Sequence, residues 1–272
     1  MPLSKLQSDI LQLIAAHRDP ESYVAGSAYL ARGGPRMSAD IDIFHDREDR
    51  VARAGEEDAA TLKAADFKVD WQRRQPTFYQ AIVSCDGEST RLEWVLDSDF
   101  RFFPTQRDEV FGYVLHPVDL ATNKAMAAAG RREPRDIVDL VMIHRDILPV
   151  GAVVWAAAEK ALGFTPEGLI NEIRRLARYT ASDFERVASD PPVDPVGVMR
   201  ELKSALNKAE EFVARMPTDK VGLLFLKDGK VVQPDPGRLD EYETHAGTRR
   251  GHWPSSSQIG SAMLERYGKP SS

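Results

Sequence analysis

The amino-acid sequence predicts an α+β protein. It reads as a mixed-sheet domain over residues 1–148, an α-helical domain over 149–216, and a small C-terminal β hairpin with a loosely ordered tail over 217–272. Three observations carry this. Apolar residues alternate with period 2 in four short runs, 39–44, 67–73, 77–84 and 90–97, which is strand patterning. Helical periodicity interrupts those runs and then dominates from 150 to 216, apart from a Pro-rich break at 190–195. Asp228-Gly229 sits between two apolar runs within 221–232, the signature of a hairpin turn.

The elements follow in order. Leu6, Ile10, Leu11 and Ile14 fall at helical spacing, so residues 3–17 read as an amphipathic helix rather than a signal peptide, ended by Asp19-Pro20. Residues 22–30 are apolar and small around Gly26-Ser27, and Gly33-Gly34-Pro35 reads as a loop. In the first alternating run Asp40, Asp42 and Phe44 share one face, and Ile41 and Ile43 the other. Residues 48–65 read as a helix and Asp86-Gly87 as a hairpin turn. His116-Pro117 leads into a helix through about residue 129, and Glu133-Pro134 opens another, since Pro fits a first helical turn.

Composition excludes several classes. Hydrophobic residues make up 42% and charged residues 29%, as in ordinary soluble domains, and no apolar run approaches the ~20 residues of a membrane helix. Cys85 is the only cysteine, which rules out an internal disulfide and argues against a cysteine zinc site. A cytoplasmic protein is the expectation. The net charge of −6 argues against indiscriminate nucleic-acid binding, although arginines cluster at 131, 132 and 135 and again at 174, 175 and 178. His116, His144, His245 and His252 are scattered, and none reads as a metal ligand.

The chemistry-bearing residues begin with Asp40 and Asp42. Two carboxylates one residue apart on a strand point the same way and reach a shared cation; hard divalent ions are held by one or two carboxylates plus substrate phosphates. Asp is disfavoured within strands, so two on one face among Ile41, Ile43 and Phe44 need a reason. A solvated strand face is the bland alternative. Upstream, Gly26 permits close backbone approach, and the Ser27 hydroxyl with backbone N–H groups suits phosphate oxygens. Arg36 and Ser38 are within reach of the same phosphates. Further on, Arg91, Glu93, Val95 and Asp97 share a strand face, on which Arg91 and Glu93 suit an ordinary surface pair. Lys124 lies on an Ala-rich helix. Asp136 and Asp139 share a face of the next helix, where Arg132 and Arg135 stand four residues ahead of them as ordinary helix partners.

The run GSAYLARGGPRMSADIDIF, with twelve residues between Ser27 and Asp40, resembles the first motif of nucleotidyltransferases of the DNA polymerase β superfamily, and more narrowly of the AbiEii toxin type. A second stretch resembles the same branch: Leu120-Ala121 and Lys124 on one helix, then Arg135-Asp136, Asp139 and Leu140 on the next. The match spans roughly residues 20–145. It implies a nucleotidyltransferase domain in which Gly26 and Ser27 bind a nucleoside triphosphate, Asp40 and Asp42 bind two Mg²⁺ ions (Mn²⁺ being the alternative), and a third carboxylate, Glu93 with Asp97 as the alternative, completes the shell or acts as base. It assigns Lys124 and Asp136 to the active site, with Asp139 beside them. It implies transfer of a nucleoside monophosphate from a triphosphate such as ATP to tRNA or protein, by the toxin of a toxin–antitoxin pair, with an antitoxin as partner and no membrane. A small-molecule nucleotidyltransferase and an inactive nucleotide-binding module are the competing expectations.

Overall fold

The computed structural model describes residues 3–30, 36–98, 100–160 and 163–249. In chain order the elements are α1 (Lys5–Ile14), β1 (Ser22–Ala25), α2 (Ser27–Leu30), β2 (Asp40–His45), α3 (Glu48–Ala64), β3 (Lys68–Gln75), β4 (Phe78–Cys85), β5 (Glu88–Leu96), β6 (Phe100–Arg101), β7 (Gln106–Asp108) and β8 (Gly112–Val114). There follow α4 (Pro117–Gly130), α5 (Pro134–Asp146), α6 (Val150–Lys160), α7 (Pro166–Leu176), α8 (Ala181–Phe184), α9 (Pro195–Arg215), β9 (Leu224–Lys227), β10 (Lys230–Val232), β11 (Glu243–His245) and β12 (Thr248–Arg249). Local chemistry sets many of these boundaries. Ser4 and Gln7 form a reciprocal capping box at the start of α1. Prolines open α4, α5, α7 and α9, where a missing N–H costs nothing. The β4–β5 turn places Asp86 and Gly87 at positive φ, 51° and 83°, as a tight hairpin requires.

A seven-stranded sheet runs in the order β3-β4-β5-β2-β1-β8-β7. β2 and β5 pair in parallel, as do β1 and β8, and the remaining neighbours are antiparallel. The parallel β2–β5 pair needs a crossover, which α3, β3 and β4 supply. α1 and α3 cover one face, where Ile41 and Ile43 are fully buried with Val51, Leu62 and Trp94. That face is tied by Asp58, which accepts two bonds from Arg18 (2.7 and 2.8 Å) and one from the Trp94 indole (2.8 Å).

A second apolar cluster joins α4 and α5 to α6, α7, α9 and β9. The helical half therefore shares its core with two helices that the sequence places in the sheet domain. The buried Asp119 of α4 accepts the backbone N–H groups of Phe102 (2.7 Å) and Phe103 (3.0 Å), fixing α4 against the chain that leaves the sheet. Burial pushes its carboxyl up to about 6. The hairpin expected at 221–232 is present as β9 and β10. The chain after Pro234, expected to be a loosely ordered tail, differs: β11 adds to β9, β12 pairs with β6, and buried His245 bonds the Phe102 carbonyl at 2.5 Å and stacks on Phe103. The apolar code there is too short to show in sequence, because pairing partners rather than periodicity hold it. Residues 250–272, and with them His252, lie outside the described residues, as does the Gly33-Gly34-Pro35 loop.

Candidate active site

The parallel register of β2 and β5 sets Asp40 opposite Arg91 and Asp42 opposite Glu93. Period-2 alternation then turns Asp40, Asp42, Arg91 and Glu93 to the same side, away from α3. On the other flank β1 pairs Ala25 with Asp42, and the next residue, Gly26, turns the chain with φ of 77°. A Cβ on Gly26 would lie 2.2 Å from Asp42 Oδ2. Glycine is required there twice, by the left-handed backbone and by the carboxylate. Gly26→Ala is accordingly expected to cost on the order of 2 kcal/mol and to displace Asp42. Urea unfolding and a transfer assay check this; a variant as stable and active as the parent would remove the constraint.

The sheet carboxylates form one wall of a cleft of about 540 Å³, a size suited to one nucleotide-scale ligand. Asn123 and Lys124 of α4, Arg131 and Arg135 line the opposite wall; Phe44, Phe78, Val95 and Lys160 line the remainder. Asp40 is 4% exposed and accepts Arg91 Nη2 at 2.5 Å and Arg135 Nη1 at 3.2 Å, both on Oδ2. Burial works against its charge, but the two guanidinium groups outweigh burial and hold the carboxyl below its ordinary range. Glu93 accepts a hydrogen bond from Gln80 Nε2 at 2.6 Å and forms an ion pair with Arg91, whose Nε lies 2.9 Å from Oε1. Asp42 forms no ion pair among the described residues. Burial first, then repulsion from Asp40 and Glu93, raises its carboxyl to about 7, with Lys124 and Arg135 countering in part.

Not every expected residue reaches the cleft. Asp139 is buried in α5, where it accepts Arg36 Nε (2.5 Å) and Nη2 (3.1 Å) and pairs with Lys124 Nζ (2.8 Å). Burial opposes its charge, and Lys124 and Arg36 together hold its carboxyl below the usual range. Asp136, also buried, accepts Arg131 at 2.7 and 3.1 Å. The Ser38 hydroxyl donates to the Asp40 backbone carbonyl at 2.7 Å. Arg36, Ser38, Asp136 and Asp139 thus stand behind the cleft wall and brace residues that form it. The helix pairs Arg132–Asp136 and Arg135–Asp139 do not form. α5 starts at Pro134, so Arg132 lies outside it, bonding the Arg178 carbonyl at 2.6 Å, while Arg135 points across the cleft to Asp40. Asp97 reaches the cleft too, but its carboxylate accepts the Tyr23 hydroxyl at 2.5 Å and the Ser98 N–H at 2.7 Å. Glu93, in register with Asp42, is the nearer third carboxylate. The Ser27 side chain lies outside the described residues.

Sequence reasoning missed the cleft roles of Arg131, Arg135, Asn123 and Lys160. Only the helical spacing of 120, 124, 127 and 131 offered a signal for the α4 wall. Among the described residues no group of three or more His, Cys, Asp or Glu side chains is arranged to hold a metal ion; Arg91 and Arg135 are paired with Asp40. The donor set itself suits a hard divalent ion: Asp40, Asp42 and Glu93 offer only oxygen, and Asp42 suffers a like-charge repulsion that such an ion relieves.

No protein-family model matches the sequence, and no curated protein is similar to it. Among solved structures the chain is similar to MenT4, a nucleotidyltransferase toxin from Mycobacterium tuberculosis H37Rv, with a TM-score of 0.51 at 16% identity over 79% of this chain and 84% of that one. The fold is that of a nucleotidyltransferase. In this fold Asp40, Asp42 and Glu93 stand on the sheet and Lys124 on α4, and all four line the cleft. A looser overlay relates the chain to Cid1, an RNA terminal uridylyl transferase, with a TM-score of 0.30 at 11% identity over 97% of this chain and 86% of that one; it does not bear on the site. No helix of the described residues is long and apolar enough to cross a membrane.

Proposed function

We propose that this chain transfers a nucleoside monophosphate from a nucleoside triphosphate to an acceptor hydroxyl. The observation that carries the reading is the juxtaposition of Asp40, Asp42 and Glu93 on one cleft wall, facing Lys124. The acceptor oxygen attacks the α-phosphorus in line. A new oxygen–phosphorus bond forms, the bond to the β-phosphate oxygen breaks, and pyrophosphate leaves. The acceptor proton passes to the Glu93 carboxylate. Asp40, Asp42 and Glu93 would hold two Mg²⁺ ions, or Mn²⁺, which when bound neutralise charge on the phosphates and the leaving oxygen. Gly26 lets the backbone approach the phosphates, Ser27 and Lys124 bind the β- and γ-phosphates, and Asp139 with Arg36 keeps Lys124 aimed at them. Asp136 serves in the same way by orienting Arg131, and Ser38 by fixing the Asp40 backbone.

The likeness to a toxin supports a toxin role for this chain; tRNA or protein as acceptor, an antitoxin protein as partner and the cytoplasm as its place are the parts of the proposal that go beyond that likeness. ATP is one of the candidate donors. The test is incubation of the purified chain with each α-labelled triphosphate, Mg²⁺, and total tRNA, protein or small acceptors. Label that moves to tRNA or protein, and does not move in an Asp42 variant, supports the reading. Transfer only to small acceptors marks a small-molecule enzyme; triphosphate binding without any transfer marks a binding module.

A pH dependence follows from Asp42. Its folded pKa is raised from 3.8 to about 7, so the folded chain holds a proton there that the unfolded chain has lost. Its contribution to stability is full below the unfolded value and is lost as pH rises toward 7. Divalent ions compete with that proton. Their affinity is expected to rise about tenfold per pH unit up to neutrality and to level off above it. Mn²⁺ titration from pH 5.5 to 8.5 checks this, and a flat profile overturns it.

A further inference from the structure

Arg91 and Arg135 approach Asp40 from opposite walls of the cleft, one from β5 and one from α5. Both meet the same oxygen, Oδ2, and Asp40 is nearly inaccessible otherwise. The arginines are not inaccessible: their side chains are 39% and 27% exposed, and both line the cleft. The other cleft cations differ. Lys124 is paired with Asp139 and Arg131 with Asp136, both buried carboxylates behind the wall, and Lys160 forms no ion pair among the described residues. Arg91 and Arg135 alone among these five are paired with a carboxylate that the transfer reaction itself requires.

A carboxylate oxygen held by two guanidinium groups is not free to ligate an ion. An ion that arrives by itself at Oδ2 must displace both, leaving Arg135 without its partner and Arg91 with Glu93 alone. A triphosphate arriving with the ion changes the balance, because phosphate oxygens accept the planar guanidinium fork at least as well as a carboxylate does. We infer that Arg91 and Arg135 are triphosphate-binding residues that exchange Asp40 for the β- and γ-phosphates, so that ion and nucleotide enter the site as a mutually dependent pair. This rests on the proposed transfer reading. By linkage the dependence is reciprocal: the factor by which nucleotide tightens the ion is the factor by which the ion tightens nucleotide.

The test is Mn²⁺ binding to the full chain, followed by the electron paramagnetic resonance of free ion. It is measured alone and with each non-hydrolysable α,β-methylene triphosphate, corrected for ion held by free nucleotide. The parent chain is expected to bind Mn²⁺ weakly alone and about tenfold or more tightly with nucleotide. Arg91→Gln combined with Arg135→Gln is expected to bind Mn²⁺ alone about tenfold more tightly than the parent, to bind triphosphate more weakly, and to lose most of the coupling. Arg91→Lys with Arg135→Lys retains the charge without the fork and is expected to fall between; it also serves if the glutamine pair does not fold. A parent that binds ion and nucleotide while neither variant pair alters Mn²⁺ affinity overturns the exchange and leaves the transfer reading standing. A parent that binds neither overturns both.

Discussion

Asp42→Asn is expected to lower nucleotide transfer about a thousandfold while leaving the unfolding midpoint unchanged or raised. The two halves have one cause. Burial first, and then repulsion from Asp40 and Glu93 with no ion pair among the described residues to offset it, raises the Asp42 carboxyl to about 7. A neutral amide of the same shape relieves the repulsion and keeps the packing against Gly26. It also removes a charge that transition-state stabilisation requires, and losses of a single such group run to about 10²–10³. Single-turnover transfer and urea unfolding on the same preparation separate the effects. A variant that keeps a large part of the parent rate, or that loses activity only in proportion to folded protein, would remove Asp42 from the reaction.

The second large effect is expected at Asp139. Asp139→Ala leaves Arg36, whose side chain is 3% exposed, and Lys124, at 10%, without their shared counter-charge. Breaking a buried pair from one side costs about 3–5 kcal/mol, because the remaining charge stays in a poor solvent. Asp136→Ala is the control. Asp136 is as deeply buried, but its partner Arg131 is half exposed and can return to water, so a smaller loss is expected. The order Asp139 above Asp136, read from urea midpoints, is the discriminating result; the reverse order would mean that Arg36 reaches solvent. Because Asp139 also aims Lys124, its variant is expected to bind triphosphate less well even at temperatures where it stays folded.

Much of the carboxylate wall is legible in the sequence. Alternation over residues 40–44 suffices to put Asp40 and Asp42 together and to bury Ile41 and Ile43, because a strand has only two faces. The same rule brings Glu93 to the correct side of its own strand. That β5 lies beside β2, in parallel and in register, is not legible, since strand order depends on the crossover through α3, β3 and β4 and not on any local pattern. The arginines show the limit most clearly. Spacing along a helix suggests Arg135 for Asp139 and Arg132 for Asp136, yet Asp139 takes Arg36, some hundred positions away, and Asp136 takes Arg131 from beyond the helix start. Charged pairs are chosen by what lies across the packing, and long side chains leave many choices open to them. The structured stretch from 234 to 249 escaped notice for the same reason: β11 is three residues long and gains its order from β9 and from Phe103.

The two apolar clusters divide the cleft between them. Asp40, Asp42 and Glu93 are carried by the sheet and its packing against α1 and α3, whereas Lys124, Arg131, Arg135 and Asp139 ride on helices whose core is shared with α6, α7 and α9. The reactive geometry therefore belongs to neither half. It exists only while the two stay in correct apposition, and a shift of about an ångström at that seam separates the carboxylates from Lys124 and the arginines without unfolding a single strand or helix. The site behaves as a joint rather than as an interior, and whatever grips the two halves from outside has leverage over the chemistry between them.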